Sequence, residues 1–314
     1  MTIHAGGPAR LVYMGTPEIA VRPLEALVEA GHDVALVVTN PDRRRGRGKE
    51  LMPTPVKAAA ERLALRVTHE IDDVLEVDAD LGVVVAYGHI IRNHILDALP
   101  LVNIHFSLLP RWRGAAPLER AILAGDEVTG VCLMQIAEAL DEGDVYARRE
   151  VPVGNATLDE LRLRLVDASC DLLVESLERG FATPEPQVGE PVYARKIKPE
   201  EHRLDFTRTT EELMRVVRLG RAFTTLDGKR FRIHTAAATT GGADELGDSD
   251  QTDEIAATPG EFSLERQAIA TDDGWLFLDR VQPEGKQAVA AADWLRGARL
   301  ASGTVFGADA AEST

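Results

Sequence analysis

The sequence predicts an α/β chain: a mostly parallel sheet with covering helices, followed by a small antiparallel β-barrel domain. Three observations predict it. Apolar strand patterns alternate with helical patterns through the first part of the chain. A proline-rich stretch without periodicity follows. Two hairpin signals, Asp227-Gly228 and Asp272-Asp273-Gly274, punctuate the remainder.

In chain order, Arg10 to Met14, Asp33 to Thr39, Leu81 to Tyr87, Leu101 to Phe106 and Gly130 to Ile136 read as strands. The middle ones are nearly all Val, Ile and Leu, as suits strands covered on both faces of a parallel sheet. Pro17 to Ala30, Thr54 to Leu65, Ala115 to Ala124 and Leu158 to Arg179 read as helices. Thr16 before Pro17 gives the first of these a cap and a first-turn proline, and Gly180 stops the last. This βαβ rhythm describes a Rossmann-like domain over residues 1–182. Thr183-Pro184-Glu185-Pro186 through Pro199 then reads as a linker, taken as 183–202. Residues 203–314 hold one helix, Thr210 to Leu219, and the two hairpins. Asp227-Gly228 suits a type I′ turn. Gly241 to Ala257 reads as a mobile acidic loop and the tail from Ala301 as frayed.

Composition narrows the function. Across 314 residues, 45% hydrophobic and 27% charged content is that of an ordinary soluble globular protein. No apolar run reaches membrane-span length and no signal core opens the chain, so the expected location is the cytoplasm. Cys132 and Cys170 lie far apart in apolar surroundings, which reads as two buried thiols and not a disulfide or zinc site. The net charge of −16 excludes a surface coated with basic patches. Cations are nevertheless concentrated: Arg43-Arg44-Arg45-Gly46-Arg47-Gly48-Lys49 holds five in seven residues. Such a run is either a local grip on a polyanion or a solvated loop.

Gly15-Thr16-Pro17 follows the first strand, where a dinucleotide fingerprint would fall, but the close-approach glycines are missing. NAD is not expected. His69, His89 and His94 match no metal spacing, and no phosphate loop is present. The pattern with chemistry is Asn103-Ile104-His105. Alternate residues of a strand share a face, so an amide and an imidazole project side by side, as carbonyl chemistry requires. Leu140-Asp141-Glu142-Gly143-Asp144 trails the next strand. If neighbouring parallel strands send their loops to one edge, Asp141 or Asp144 faces His105; otherwise both serve only the turn. In Arg111-Trp112-Arg113-Gly114 the arginines either hold an anionic substrate or face solvent around a packed Trp112.

Asn103-x-His105, Ser107-Leu108-Leu109-Pro110 and Asp141-x-Gly143-Asp144 together resemble the 10-formyltetrahydrofolate-dependent formyltransferases. These motifs do not separate the members acting on glycinamide ribonucleotide, amino-sugar nucleotides or methionyl-tRNA. Arg111 to Pro117, Pro41-Asp42 through Lys57, and Val83 to Gly88 resemble the methionyl-tRNA formyltransferases. The resemblance implies a Rossmann-like formyl-transfer domain, a linker, and a carboxy-terminal OB-like β-barrel that helps to bind tRNA. It implies that Asn103 and His105 stabilise the developing oxyanion, with His105 also a proton donor, and that Asp141 orients His105 and assists proton removal from the amine. Ser107, Leu108, Leu109 and Pro110, with Tyr87 and Gly88, would bind the folate. Arg47, extended by Arg43, Arg44 and Arg45, would grip the acceptor end of tRNA. The implied partners are 10-formyltetrahydrofolate as donor and initiator methionyl-tRNA as acceptor, for a monomer without metal or membrane. The chain departs from the family pattern at Phe106 (commonly glycine), at Glu142 (commonly serine or threonine), and across Arg218 to Phe223, where an Asn-Pro-Trp-Pro-like stretch is usual.

Overall fold

The structure, a computed structural model, describes residues 6–45, 50–240, 257–301 and 303–308. Two compact units emerge. The first comprises Met1–Arg120, Glu127–Gly154 and Glu160–Lys196; the second comprises Ala121–Asp126, Asn155–Asp159 and Ile197–Thr314.

The first unit is built on a seven-stranded sheet. Its strands are β1 (Arg10–Gly15), β2 (Asp33–Val38), β3 (Val67–Thr68), β4 (Leu81–Val85), β5 (Leu101–His105), β6 (Val128–Gln135) and β7 (Val145–Pro152), in the spatial order β7-β6-β5-β4-β1-β2-β3. Strands β1 to β5 are parallel, whereas β6 runs antiparallel to both β5 and β7. Strand order reverses at β1 and β4, and their trailing turns, Gly15-Thr16 and Ala86 to Gly88, therefore flank the crevice where open α/β sheets place ligands. The Val, Leu and Ile residues of β1, β4 and β5 are buried, as strands covered on both faces require. The helix Leu158–Arg179 lays Leu161, Leu165, Leu173 and Leu177 inward.

Several expectations change here. Thr16 caps no helix: the chain first makes a 3₁₀ turn at Glu18–Ala20, and the α-helix is Val21–Glu29. The Thr16 hydroxyl instead donates to the Tyr87 carbonyl at 3.4 Å, tying two crevice turns together. A Cβ on Gly15 would lie 2.9 Å from Ala20 Cβ and 3.0 Å from Val85 O, so this glycine serves close strand-to-helix packing. The stretch expected as a linker is paired at two places. Glu185 exchanges both backbone hydrogen bonds with Val145, and Val192–Ala194 lies parallel to Arg111–Gly114. Cys132 and Cys170 are both buried and unlinked.

The basic segment is a short hairpin: Arg43–Arg45 pairs with Glu50–Met52. Its base is held by Lys57 Nζ donating to both Asp42 carboxylate oxygens at 2.7 and 2.9 Å, and by the Thr39 and Thr54 hydroxyls 2.8 Å apart. Thr54 also caps the helix Pro55–Arg62. Gly46 to Lys49, and Arg47 with them, lie outside the described residues.

In the second unit, Phe223–Leu226, Lys229–Thr240, Gly274–Pro283, Ala268–Ala270 and Phe262–Ser263 follow one another antiparallel. Asp227 (φ 50°) and Gly228 (φ 69°) are both left-handed, as a type I′ turn demands. The expected acidic loop falls, except for Ala257, outside the described residues. The frayed tail is corrected over 303–308, although Ser302 and 309–314 are not described. Phe262 N–H donates to Thr304 O and Phe306 N–H to Gly260 O, each at 2.8 Å. On the other side Gly307 N–H donates to Thr225 O at 2.9 Å. The segment thus joins the first and last strands and closes them into a ring. Phe306 is 2% exposed, with ring centroids 5.4, 5.8 and 6.4 Å from Phe231, Phe262 and Trp294. Sequence reasoning missed it because a lone Phe between glycines carries no period. Phe306→Ala is expected to cost about 3–5 kcal/mol of this unit's stability, read by thermal or denaturant unfolding.

Candidate active site

Strand β5 ends in Asn103 and His105 on one face. Asn103 is half-buried, and its side-chain amide has no hydrogen-bond partner among the described residues. His105 is buried, and its Nε2 donates to the carbonyl of Trp112 at 3.0 Å. A carbonyl can only accept, so this bond places a proton on Nε2 and leaves Nδ1 as the nitrogen that gains or loses one.

Nδ1 faces a carboxylate: Asp141 Oδ2 lies 3.7 Å away, with the two side chains only 7% and 14% exposed. The route by which Asp141 arrives is not the expected one. Because β6 is antiparallel, Gln135 at its end pairs with Val102, and the trailing loop leaves beside the start of β5. The loop then folds back so that Asp141 meets His105. Asp141 has φ 55°, a left-handed conformation that its surroundings must hold. Asp144 takes no part at His105; its carbonyl accepts from Gln135 N–H at 2.8 Å in the β6–β7 turn.

The supporting wall is the short strand Arg111–Gly114. Trp112 (φ 64°) offers the carbonyl to His105, and Gly114 N–H donates to Asp141 Oδ2 at 2.8 Å. Arg113 is not a substrate clamp. Its Nε and Nη2 donate to Gln187 Oε1 at 3.0 and 2.9 Å, and its Nη1 to Glu142 Oε1 at 2.8 Å. The Arg111 guanidinium lies 4.4 Å over the Trp112 ring, a cation–π contact on a packed indole. An unpartnered amide, an imidazole and a carboxylate at one strand end form a site for polarising a carbonyl and moving a proton.

Comparison with known proteins narrows this chemistry. The model of the formyl transferase family matches residues 9–177, and that of the formyl transferase C-terminal domain matches 196–299. The chain is 43% identical to the methionyl-tRNA formyltransferase of Halorhodospira halophila (strain DSM 244 / SL1) over 315 residues, covering 94% of this chain and 98% of the relative. It is 41% identical to that of Clavibacter sepedonicus over 305 residues, covering 92% and 97%. The chain belongs to the methionyl-tRNA formyltransferase family. Its fold is also that of an N-formyltransferase from Helicobacter canadensis solved with folinic acid and dTDP-3-aminofucose (TM-score 0.63, 17% identity, 89% of this chain and 99% of that one). HypX from Aquifex aeolicus in complex with tetrahydrofolic acid shares the fold as well (TM-score 0.57, 21% identity); the match covers 92% of this chain and 47% of HypX.

Formyltransferases of this family use formyl-tetrahydrofolate as donor, and the expected folate residues can be placed within the fold. Ser107 is fully buried, and its hydroxyl donates to Arg111 O at 2.6 Å, closing a turn. Leu109 is buried against Cys132, Met134 and Val145. Leu108 packs on Gly130, where a Cβ would come within 2.6 Å of its Cδ2. These side chains therefore point inward, and backbone atoms with Pro110 are what this turn can offer a folate. Tyr87 likewise packs in the core between β1, β2 and β4, leaving the backbone of Gly88 (φ 81°) at the crevice. Leucines and a serine in a loop read as ligand-facing in sequence; here they fill the space beneath it.

Among the described residues no group of three His, Cys, Asp or Glu side chains gathers that could hold a metal ion. Also among them, no helix is long and apolar enough to cross a membrane. Sequence reasoning missed Gln187 and Tyr193. Both lie in the proline-rich stretch, where no periodic or motif signal distinguishes them; the fold alone brings them to the 141–143 loop.

Proposed function

We propose that this chain transfers the formyl group of 10-formyltetrahydrofolate to the free amine of methionyl-initiator tRNA, with Asn103, His105 and Asp141 as its catalytic residues. One observation carries the assignment: His105 is held between the Trp112 carbonyl and Asp141, beside the unpartnered amide of Asn103. The amine nitrogen attacks the formyl carbon, a carbon–nitrogen bond forms, and the carbonyl electrons move onto oxygen. Asn103 Nδ2 stabilises that oxyanion. The tetrahedral centre collapses, its bond to the folate nitrogen breaks, and that nitrogen takes up a proton as the attacking amine loses one. His105 Nδ1, backed by Asp141, is the station for this proton. We further assign catalysis to residues 1–182 and part of the tRNA contact to 203–314, in a monomer working in the cytoplasm.

The test is an acceptor panel of charged initiator tRNA, glycinamide ribonucleotide and a 4-amino-sugar nucleotide, each with labelled 10-formyltetrahydrofolate. Transfer to the tRNA is expected. Transfer to a small amine alone would overturn the reading.

The hairpin Arg43–Arg45 is proposed, together with Arg47, to meet the acceptor end of the tRNA. Arg43 and Arg44 are exposed and stand on a base braced by Asp42 and Lys57. Replacing both with alanine is expected to weaken tRNA binding and to lower the slope of log K against log salt by about 0.7–0.9 for each phosphate no longer neutralised, read by titration at several ionic strengths. An unchanged slope would mark the two as solvated charge.

A further inference from the structure

We infer that Gln187 is a positioning residue for formyl transfer, holding Asp141 within reach of His105 by locking the backbone of the 141–143 loop to the strand Arg111–Gly114. The inference rests on the assignment of His105 and Asp141 to the chemistry. Gln187 Nε2 donates to the carbonyls of Asp141 and Gly143, each at 2.8 Å. Its Oε1 accepts both Nε and Nη2 of Arg113. Both amide protons and the amide oxygen are thus committed within the protein. Gln187 therefore acts through its neighbours and not by holding substrate.

Three successive residues of the short strand each hold one member of the site. Trp112 holds His105, Arg113 holds Gln187, and Gly114 holds Asp141. Removing the middle tie releases the backbone carbonyls of Asp141 and Gly143 and leaves the loop joined to the strand through side chains alone, Asp141 to Gly114 and Glu142 to Arg113. Asp141 has most to lose. Its left-handed backbone is of a kind that persists where the surroundings over-determine it. Glu142 adds a second tie. Its Oε1 accepts from Arg113 Nη1 at 2.8 Å and from the Tyr193 hydroxyl at 3.3 Å. Gln187 is itself fixed from both sides. Glu185 is paired with Val145, and Val192–Ala194 with Arg111–Gly114.

The experiment is a double-mutant cycle of Gln187→Ala with Asp141→Asn in the full-length chain, read as kcat and KM for both substrates alongside the melting temperature. A misplacement of about 1 Å can cost about a hundredfold in rate. Gln187→Ala is therefore expected to lower kcat by roughly ten- to a hundredfold with both KM values within about twofold. In the Asp141→Asn background it is expected to change kcat by less than about threefold, since groups acting as one unit are non-additive. A stabilising residue without a positioning role would lower the melting temperature and multiply with Asp141→Asn. Gln187→Glu carries the test should the alanine variant not fold: it keeps an acceptor for Arg113 but loses both donors to the loop. Wild-type kcat in the soluble Gln187 variants, or full multiplicativity in the cycle, overturns the inference. Wild-type turnover in Asp141→Asn alone would instead overturn the site assignment itself.

Discussion

Replacing His105 with alanine is expected to lower single-turnover formyl transfer about a thousandfold, with binding of folate and tRNA little changed. The imidazole is the station for the migrating proton, beside the Asn103 amide that meets the developing oxyanion. General acid–base groups contribute roughly a hundred- to ten-thousandfold. The substitution also strips the Trp112 carbonyl of its donor inside a buried site, an added cost of about 1–3 kcal/mol in stability. Rapid-quench transfer from labelled donor, with circular dichroism to establish folding, separates the two effects. A folded variant within tenfold of the wild-type rate would remove His105 from the chemistry.

Gly143→Ala is expected to be nearly as damaging although it changes no chemical group. A Cβ at position 143 would sit 2.0 Å from Gln135 O and 2.7 Å from the carbon that bears it. That neighbour is backbone at the end of a core strand and cannot step aside as a long side chain can. The loop must move instead, taking with it Asp141 and the carbonyls that Gln187 grips. The expected result is a loss of about a hundredfold in kcat, with a destabilisation of about 1–3 kcal/mol. Gly297→Ala, at a helical glycine with nothing within 4 Å of the added carbon, is the matched control and should leave turnover untouched. Equal activity in the two variants would show that the loop has room the static packing denies.

Much of the first unit could be read from residue pattern because its strands are continuous Val, Leu and Ile runs, and because Leu158–Arg179 is bounded by Thr157 and Gly180. Strand β7 escaped notice: Val145 to Val151 carries Arg148, Arg149 and Glu150 in a row, which breaks the alternation of a strand and reads as polar. The direction of β6 is invisible for a different reason. Periodicity gives which face a side chain takes, never which way a strand runs beside its neighbour. In the site, residue type and spacing singled out Asn103 and His105 but left Asp141 and Asp144 open, and the choice of Asp141 came from the family resemblance. The mutual geometry of Asn103, His105 and Asp141 required the left-handed backbones at Trp112 and Asp141, which no residue preference announces. The inward turn of the Ser107 and Leu109 side chains was not legible, because a polar or apolar side chain in a turn looks the same in sequence whether the turn presents it outward or folds over it.

The segment Thr304–Ala308 has a consequence for how copies of this chain behave towards one another. A sheet with two open edges displays rows of unpaired amides and carbonyls that accept any extended strand. By bonding to Gly260 and Phe262 on one side and Thr225 on the other, the segment occupies both edges at once. It is therefore the chain's own guard against edge-to-edge self-association.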